Sequence, residues 1–542
     1  MRLTTFWRSG EPFIWMTAAG VALSLLMVGG MLLLIMVNGL GQFWPAALTE
    51  HVLTTGELVL GQVVGKEVIP STVTPDRPEG QLRFRLRVGN RDVLGSDYRW
   101  VNADDIASTT QPKEAAFIER REWGPAYGRI TAVVEGEVER PVASWQEITA
   151  LVGEANELRE KIEHLERDEI GAINHRIEAA RLARQALLAD GTVSPEEAAE
   201  DRLITERLSD LEREYQEKTV VLEQWHREAG RKALILTLAN GKTTRISLDR
   251  ALAVSRPNAM GPVEKLGFYL RNLWNFVSTE PREANTEGGI FPAIFGTVLM
   301  VFVMTAAVMP FGVMAAVYLR EYATQGLVVR LVRIAVNNLA GVPSIVFGVF
   351  GLAFFVYALG GTIDQWFFPE ALPNPTYGTG GILWASLTLA LLTVPVVIVA
   401  TEEGLSAVPK DFREGSVGLG ATKFETIRHV ILPCALPGIL TGLILAMARA
   451  AGEVAPLMLT GVVKLAPALP LDQYLPFLHL DRKFMHLGFH IYDVGFQSPN
   501  VEAAKPMVYM TTLILILVVV LLNWVAVSLR NRLRRRYATS VV

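Results

Sequence analysis

Two ionisable side chains stand alone in a long apolar run near the C-terminal end of the chain. From Leu432 to Gly461 the only charges are Arg449 and Glu453. An ionisable residue deep in a membrane span costs at least about 2.5–3.5 kcal/mol, so such a pair is seldom accidental. Spaced i,i+4 on a helix, the two share one face. The arginine can then pair with the glutamate, or present its planar fork to a tetrahedral oxyanion. If the span begins near Pro433, Arg449 lies about 24 Å along the axis, in the far half of the bilayer. Two roles stay open: a structural ion pair (or an arginine reaching out to water) and a substrate pathway.

Other chemistry-bearing spacings fail on inspection. Asn240-Gly241-Lys242-Thr243 resembles the end of a phosphate-binding loop, but Leu236 stands where its first glycine is needed, so it reads as a turn. His486 and His490 have i,i+4 spacing, but Leu487 holds the glutamate position of the zinc-protease motif, and no metal site is expected. The single cysteine, Cys434, excludes a disulfide framework or a cysteine zinc site within one chain. No convincing nucleophile–base pair and no ATP-binding motif is present. If the chain takes part in active transport, the energy comes from another polypeptide.

The elements that hold these residues are membrane spans. A span needs roughly 20 apolar residues. Six runs qualify: Ile14–Val37, Ile290–Leu319, Val332–Leu359, Gly381–Ala400, Leu432–Gly461 and Met507–Leu529. The first exceeds a signal-peptide core and lacks a clear cleavage site, so it reads as an uncleaved anchor. The composition agrees: 50% hydrophobic, 20% charged and a mean hydropathy of +0.29 argue against a wholly soluble enzyme. A net charge of −4 offers no basic excess for nucleic acid.

Arginines set the expected sidedness. Arg530, Arg532, Arg534, Arg535 and Arg536 follow the last span, and Arg2 and Arg8 precede the first, so both termini are expected in the cytoplasm. Loops with Arg320, Arg330 and Arg333, and with Lys410, Arg413, Lys423 and Arg428, then face the same side. The loop at 361–380, without Lys or Arg, faces out. So does 462–506, although Lys464, Arg482, Lys483 and Lys505 argue against it.

Residues 39–285 must then lie outside. Ile148, Leu151, Ala155, Leu158, Ile162 and Leu165 form a heptad seam that resumes, after one irregularity, at Ile170, Ile173, Ile177 and Ala180. Ala189 to Val193 breaks it. Ser194 suits an N-cap, Pro195 the first turn, and Ile204, Leu208, Leu211, Tyr215, Leu222 and Trp225 a second seam. The expectation is an antiparallel helical hairpin with arms roughly 50–70 Å long. Leu82–Val88 alternates as a half-buried strand, and Ala233–Leu238 and Thr243–Leu248 bracket Asn240-Gly241, predicting a β-hairpin with a type I′ turn. A β platform should carry the helical hairpin. Its charge run reads first as a solvated face, and second as a partner-docking surface.

The loop between spans four and five carries a family pattern. It reads Arg413-Glu414-Gly415-Ser416-Val417-Gly418-Leu419-Gly420-Ala421, continuing to Val430-Ile431-Leu432-Pro433. This resembles the coupling loop of ABC importer permeases, Glu-Ala-Ala, three residues, Gly, nine residues, Ile, any residue, Leu-Pro. Glu414, Gly420, Leu432 and Pro433 fall in register; Val430 replaces Ile, and Gly415 and Ser416 replace the alanines. The physical logic is a short helix, a glycine break and a second short helix that can seat in an ATPase cleft. Asn285 to Thr297, Tyr318 to Tyr322 and Gly341 to Gly348 resemble the PstA-type phosphate permeases of that family. So does Ala448-Arg449-Ala450-Ala451-Gly452-Glu453-Val454-Ala455-Pro456-Leu457, where Val454 departs from the family threonine. The resemblance covers about 285–530 and says little about 39–285.

The fold class expected is therefore an α-helical polytopic membrane protein: six transmembrane helices in a type I ABC importer permease fold, with an α+β extracytoplasmic domain that contains a long antiparallel helical hairpin. Its parts are a cytoplasmic N-terminus and first span (1–38), the extracytoplasmic domain (39–285), the permease core (286–530, coupling loop 401–433) and a basic cytoplasmic tail (531–542). The resemblance implies a non-catalytic permease subunit in the inner (plasma) membrane. Its partners would be membrane lipid, a PstC-type permease, two cytosolic ATPase subunits, an external phosphate-binding protein and inorganic phosphate. No cofactor is expected in this chain, with ATP and Mg on the ATPases. It implies Arg449 and Glu453 in the substrate pathway, and Glu414, Gly415, Ser416, Gly420, Leu432 and Pro433 in the ATPase coupling loop. The alternatives are a permease for another oxyanion or small solute, and a membrane sensor or scaffold with an external coiled coil.

Overall fold

The computed structural model describes residues 10–69, 81–188, 194–498 and 501–538. Arg2, Arg8, the hairpin break at 189–193 and the side chain of Arg536 lie outside the described residues. Among the described residues, six helices are long and apolar enough to cross a membrane. They are α1 (Glu11–Gly41) and five others in the second half of the chain.

Two antiparallel sheets form the β platform. One runs in the order β4-β3-β2-β1-β5, from β1 (Thr49–Leu53), β2 (Leu58–Ile69), β3 (Gln81–Arg87), β4 (Tyr98–Asn102) and β5 (Ile106–Thr110). The other is ordered β10-β9-β7-β6-β11, with β8 on β7, from β6 (Ala116–Arg120), β7 (Ala126–Glu135), β8 (Val138–Pro141), β9 (Lys232–Thr237), β10 (Thr243–Ser247) and β11 (Ala251–Ser255). The β9–β10 turn differs from the type I′ expectation. Only Gly241 has positive φ (79°), and Leu238 N–H donates to Lys242 O at 2.8 Å. Ala239 and Asn240 therefore turn in ordinary space and Gly241 alone takes the left-handed position, a three-residue loop in place of a two-residue one.

The helical hairpin grows from the second sheet. Its first arm is α2 (Trp145–His164), a π-helical segment Leu165–Ile170, and α3 (Gly171–Leu188). The π segment is the irregularity in the first seam: one extra residue re-aims the apolar stripe. Ile148 and Val152 pack on the sheet, whereas Ile173, Ile177 and Ala180 pack on Leu208 and Leu211 of α4 (Pro195–Ala229). Ser194 caps α4 as expected; its hydroxyl accepts from Glu197 N–H, whose carboxylate accepts from Ser194 N–H at 2.6 Å. Next comes α5 (Pro262–Ser278), which leads to the core.

The core begins with α6 (Phe291–Tyr322). The third span departs from expectation. Val332–Leu359 is not one helix: α7 (Leu327–Leu339) ends before Gly341-Val342-Pro343, and α8 (Ser344–Phe367) is the span. Pro343 has no N–H for Leu339 and its ring would strike that carbonyl, and with Gly341 two residues before it the helix ends there. Then follow α9 (Ile382–Ser406), α10 (Lys410–Gly418), α11 (Lys423–Gly452), α12 (Ala455–Thr460), α13 (Leu487–Tyr492) and α14 (Val501–Ala538).

Helix α9 is the centre of the bundle, with 67% of its membrane window buried against 6–44% for the other spans. It packs on α6 and α11 through small residues. An added Cβ on Gly438 would lie 2.6 Å from Gly404 Cα, and one on Gly442 2.5 Å from Ala400 Cβ. On the other side, one on Gly312 would lie 2.6 Å from Val397 Cγ1. Backbones that close gain dispersion contacts, which carry helix association where lipid is as apolar as leucine.

A short strap joins the platform to the core. Pro281–Arg282 pairs with Glu287–Gly288, and Gly288 (φ 85°) and Gly289 fold against Glu280 O and Thr279 O, where a Cβ would not fit. Every charge on the strap meets the platform or the hairpin: Glu280 with Arg167 (2.6 Å), Arg282 with Glu119 (2.5 Å), Glu283 with Arg91 (3.0 Å) and Glu287 with Arg87 (3.2 Å). Burial pushes the Glu287 carboxyl up, opposed by the guanidinium groups of Arg87 and Arg282.

Overpacking tests the helix crossing. Gly438→Val should cost about 1–3 kcal/mol or more and lower the thermal midpoint of the detergent-solubilised protein. Gly153→Ala, where an added Cβ meets nothing within 4 Å, should leave the midpoint unchanged or raise it.

Candidate functional site

The loop at 410–431 folds as a compact helical unit. Helix α10 carries Arg413, Glu414, Gly415 and Ser416; the chain turns at Gly420 (φ +90°), and Thr422 caps the start of α11 through a reciprocal bond with Glu425. The Ser416 and Thr426 hydroxyls lie 2.9 Å apart and staple the two arms. Arg413 ties the unit to the bundle, through Glu321 of α6 at 2.7 Å and Leu405 O of α9 at 2.7 Å. Lys423 lies over the Tyr322 ring.

Its tip is exposed and apolar. Leu419 is 91% exposed, and Val417 and Phe424 are also uncovered. Glu414, Gly415 and Gly420 lie on this exposed surface and Ser416 is half-buried. Leu432 and Pro433 are not at the tip. They sit where the π-helical segment Ile427–Ile431 passes into the rest of α11, and Leu432 packs against the core.

The far end of α11 holds the charged pair. The run Leu432–Gly461 is not one span: α11 stops at Gly452, and Glu453 is its extended C-cap. Pro456 cannot donate to Gly452 O and its ring would clash there, so the chain breaks and restarts as α12. Arg449 and Glu453 are therefore not on one continuous helix. Their nearest atoms, Nε and Oε1, are 3.6 Å apart. That exceeds the 2.7–2.9 Å usual for a charge-assisted hydrogen bond. Among the described residues Arg449 has this contact alone, and its side chain is 36% exposed.

Helix α12 is wedged between other elements. An added Cβ on Gly348 of α8 would lie 2.7 Å from Pro456 Cα, and Gly461 abuts Gly381 at the start of α9. Val454 packs on Gly488. Beyond it, Gly381 N–H donates to Thr460 O, and Ile382 N–H to Arg482 O, both at 3.0 Å. Asn285 of the strap reaches this region too, donating to Lys464 O and Asp493 Oδ2 at 3.1 Å. The hairpin also touches this end, where His175 stacks on Tyr474 at 4.7 Å. Burial alone would raise Asp472, but the Tyr474 amide, Arg482 and His479 hold its carboxyl below the usual range. His486 and His490 are buried, which pushes them down to about 3 and about 4. Among the described residues no group of three or more His, Cys, Asp and Glu could hold a metal ion.

Comparison with known proteins decides what this helical unit belongs to. The family model of the binding-protein-dependent transport system inner membrane component matches residues 308–535. The probable ABC transporter permease protein YqgI of Bacillus subtilis is 32% identical over 237 residues, 42% of this chain and 74% of that one. The phosphate transport system permease protein PstA of Yersinia pestis is 32% identical over 239 residues, 44% of this chain and 72% of that one. The chain belongs to the ABC importer permeases, among the PstA-type members. It spans half the length of another relative, phosphate transport system permease protein PstA 1 of Mycobacterium tuberculosis, at 39% identity over 171 residues.

As a subunit of this family the chain works with a partner permease, ATPases and a binding protein, and it is a multi-pass inner-membrane protein. Within the permease core, sequence reasoning missed Arg413–Glu321, the apolar tip at Val417, Leu419 and Phe424, and the strap contacts of Asn285. The apolar tip had a signal, since apolar residues interleave with glycines from Gly415 to Gly420. The contacts of Arg413 and Asn285 span far-separated elements and had none.

Proposed function

We propose that this chain is the permease subunit of an ATP-driven phosphate importer, paired with a PstC-type permease. The observation that carries the reading is the Arg449 fork, held on the same helix, α11, that begins at the 410–431 unit. A guanidinium with one long contact keeps donors for a tetrahedral oxyanion. The chain itself is non-catalytic. ATP and Mg bind two cytosolic ATPase subunits, and the tip around Glu414, Gly415, Ser416, Gly420 and Leu419 seats in their cleft. Leu432 and Pro433 carry the motion into the span. Closing of the ATPase dimer opens the path outward, phosphate leaves its external binding protein and passes Arg449 and Glu453, and hydrolysis resets the path inward.

On this reading both termini are cytoplasmic and residues 39–285 lie outside. In a Cys434→Ser background, an impermeant thiol reagent should reach Glu200→Cys in intact cells. It should reach Lys423→Cys only after permeabilisation. The opposite pattern would overturn the orientation.

The pathway role is tested by Arg449→Ala alone and with Glu453→Ala. The single variant leaves Glu453 uncompensated in low dielectric, so misassembly is expected. The double variant should recover assembly while uptake of labelled phosphate stays at least about tenfold down, the loss of one charged hydrogen bond. Near-normal uptake by the assembled double variant would reduce the pair to a structural role. In wild type, excess sulfate or molybdate should not compete; full competition would favour a different oxyanion.

A further inference from the structure

Helix α5 is apolar on two faces, and only one of them is covered. Its inner face packs on the end of α1: Phe276 is buried against Phe43, with ring centroids 5.3 Å apart, and Tyr269 lies 5.9 Å from Trp44. Its outer face carries Val263, Leu266, Leu270 and Trp274, spaced three, four and four residues apart and so in one stripe. These side chains are 83%, 50%, 54% and 70% exposed.

The level of this helix is fixed by its neighbours. Ile290 N–H donates to Phe276 O at 2.8 Å and Phe291 N–H to Thr279 O at 3.1 Å, so the last turn of α5 sits beside the first residues of α6. The same cluster holds Leu40 at the end of α1 and Met507 and Met510 near the start of α14. Three spans thus end or begin at the height of Phe276, which marks the edge of the hydrocarbon on the platform side. The surface of α1, against whose end α5 packs, is almost wholly uncovered. Trp274 has the amphipathic ring that favours the headgroup level. Exposed Arg271, beside the stripe, can reach lipid phosphates while its stem lies on apolar surface. Glu264 is already engaged as the cap of Gly261 N–H.

We propose that α5 lies in the membrane–water interface on the platform side, with Leu266, Leu270 and Trp274 entering lipid, so that the external domain rests on the bilayer as well as on the core. Such a helix is held by its apolar face and by headgroup charge. It would fix the height of the strap that follows it at Thr279.

Nitroxide accessibility in the assembled importer, reconstituted in phosphatidylcholine–phosphatidylglycerol bilayers in a Cys434→Ser background, tests this. Labels at Leu270→Cys and Trp274→Cys should collide readily with oxygen and at least about fivefold less with a nickel chelate than a label at Glu200→Cys, as a lipid-facing site does. Nickel collisions equal to those at Glu200→Cys would place the stripe in water and overturn the proposal. Low collision with both reagents would mean a protein surface covers it, a partner permease or a second copy, and would overturn it equally. Label-free support comes from brominated lipid, which should quench wild-type tryptophan fluorescence more than that of Trp274→Phe. Equal quenching would contradict the lipid contact.

Discussion

The close packing of α9 between α6 and α11 is the constraint on which the rest depends. Membrane helices gain nothing from burying apolar surface against one another, so approach distance decides their affinity. Gly404 against Gly438, Ala400 against Gly442 and Gly312 against Val397 bring the backbones together. The same helix is tied at both ends. At one, Leu405 O accepts from Arg413 and Glu402 pairs with Arg333 at 3.1 Å. At the other, Gly381, Ile382 and Leu383 N–H groups donate to Thr460, Arg482 and Leu480 carbonyls. Through these contacts α9 connects the 410–431 unit with the region around α12.

The platform and hairpin hang on this frame through the strap. Four arginine–glutamate pairs hold residues 280–287, and each partner comes from a different element. Of these pairs only Arg167–Glu280 is exposed on both sides, and such a pair is worth little, about 0–1 kcal/mol. Here the register is fixed besides by buried Asn285, by Trp123 N–H donating to Glu283 and by the glycine fold at 288–289. The strap leads within a few residues into α6, and Asn285 also grips the loop beyond α12. These contacts join the platform and the hairpin to the strap-side end of the core.

Much of this was legible in the chain. The long apolar runs, the two hairpin seams, the Ser194 cap and the helix–glycine–helix spacing from Glu414 to Pro433 are local patterns, and local patterns survive folding. Two spans were misjudged because hydropathy does not see a break: Pro343 and Pro456 stop helices inside runs that stay apolar. Elsewhere in the spans Pro310, Pro395 and Pro437 sit inside helices, so proline alone does not locate a stop. The π segment at Leu165–Ile170 showed as a slip in the seam without revealing its geometry. Contacts such as Arg413 with Glu321, or Asn285 with Asp493, join residues from 92 to 208 positions apart, and no periodicity encodes them.

The most direct test of the central claim, that the 410–431 unit passes ATPase motion to the spans, is ATP hydrolysis by the purified complex with and without phosphate-loaded binding protein. Gly420 sits at φ +90°, which proline cannot adopt, and Glu414 is exposed on the same unit. Gly420→Pro and Glu414→Lys should insert in the membrane normally yet lose phosphate stimulation of ATP hydrolysis, through uncoupling or failed assembly with the ATPase. Normal phosphate-stimulated hydrolysis in both variants would contradict it.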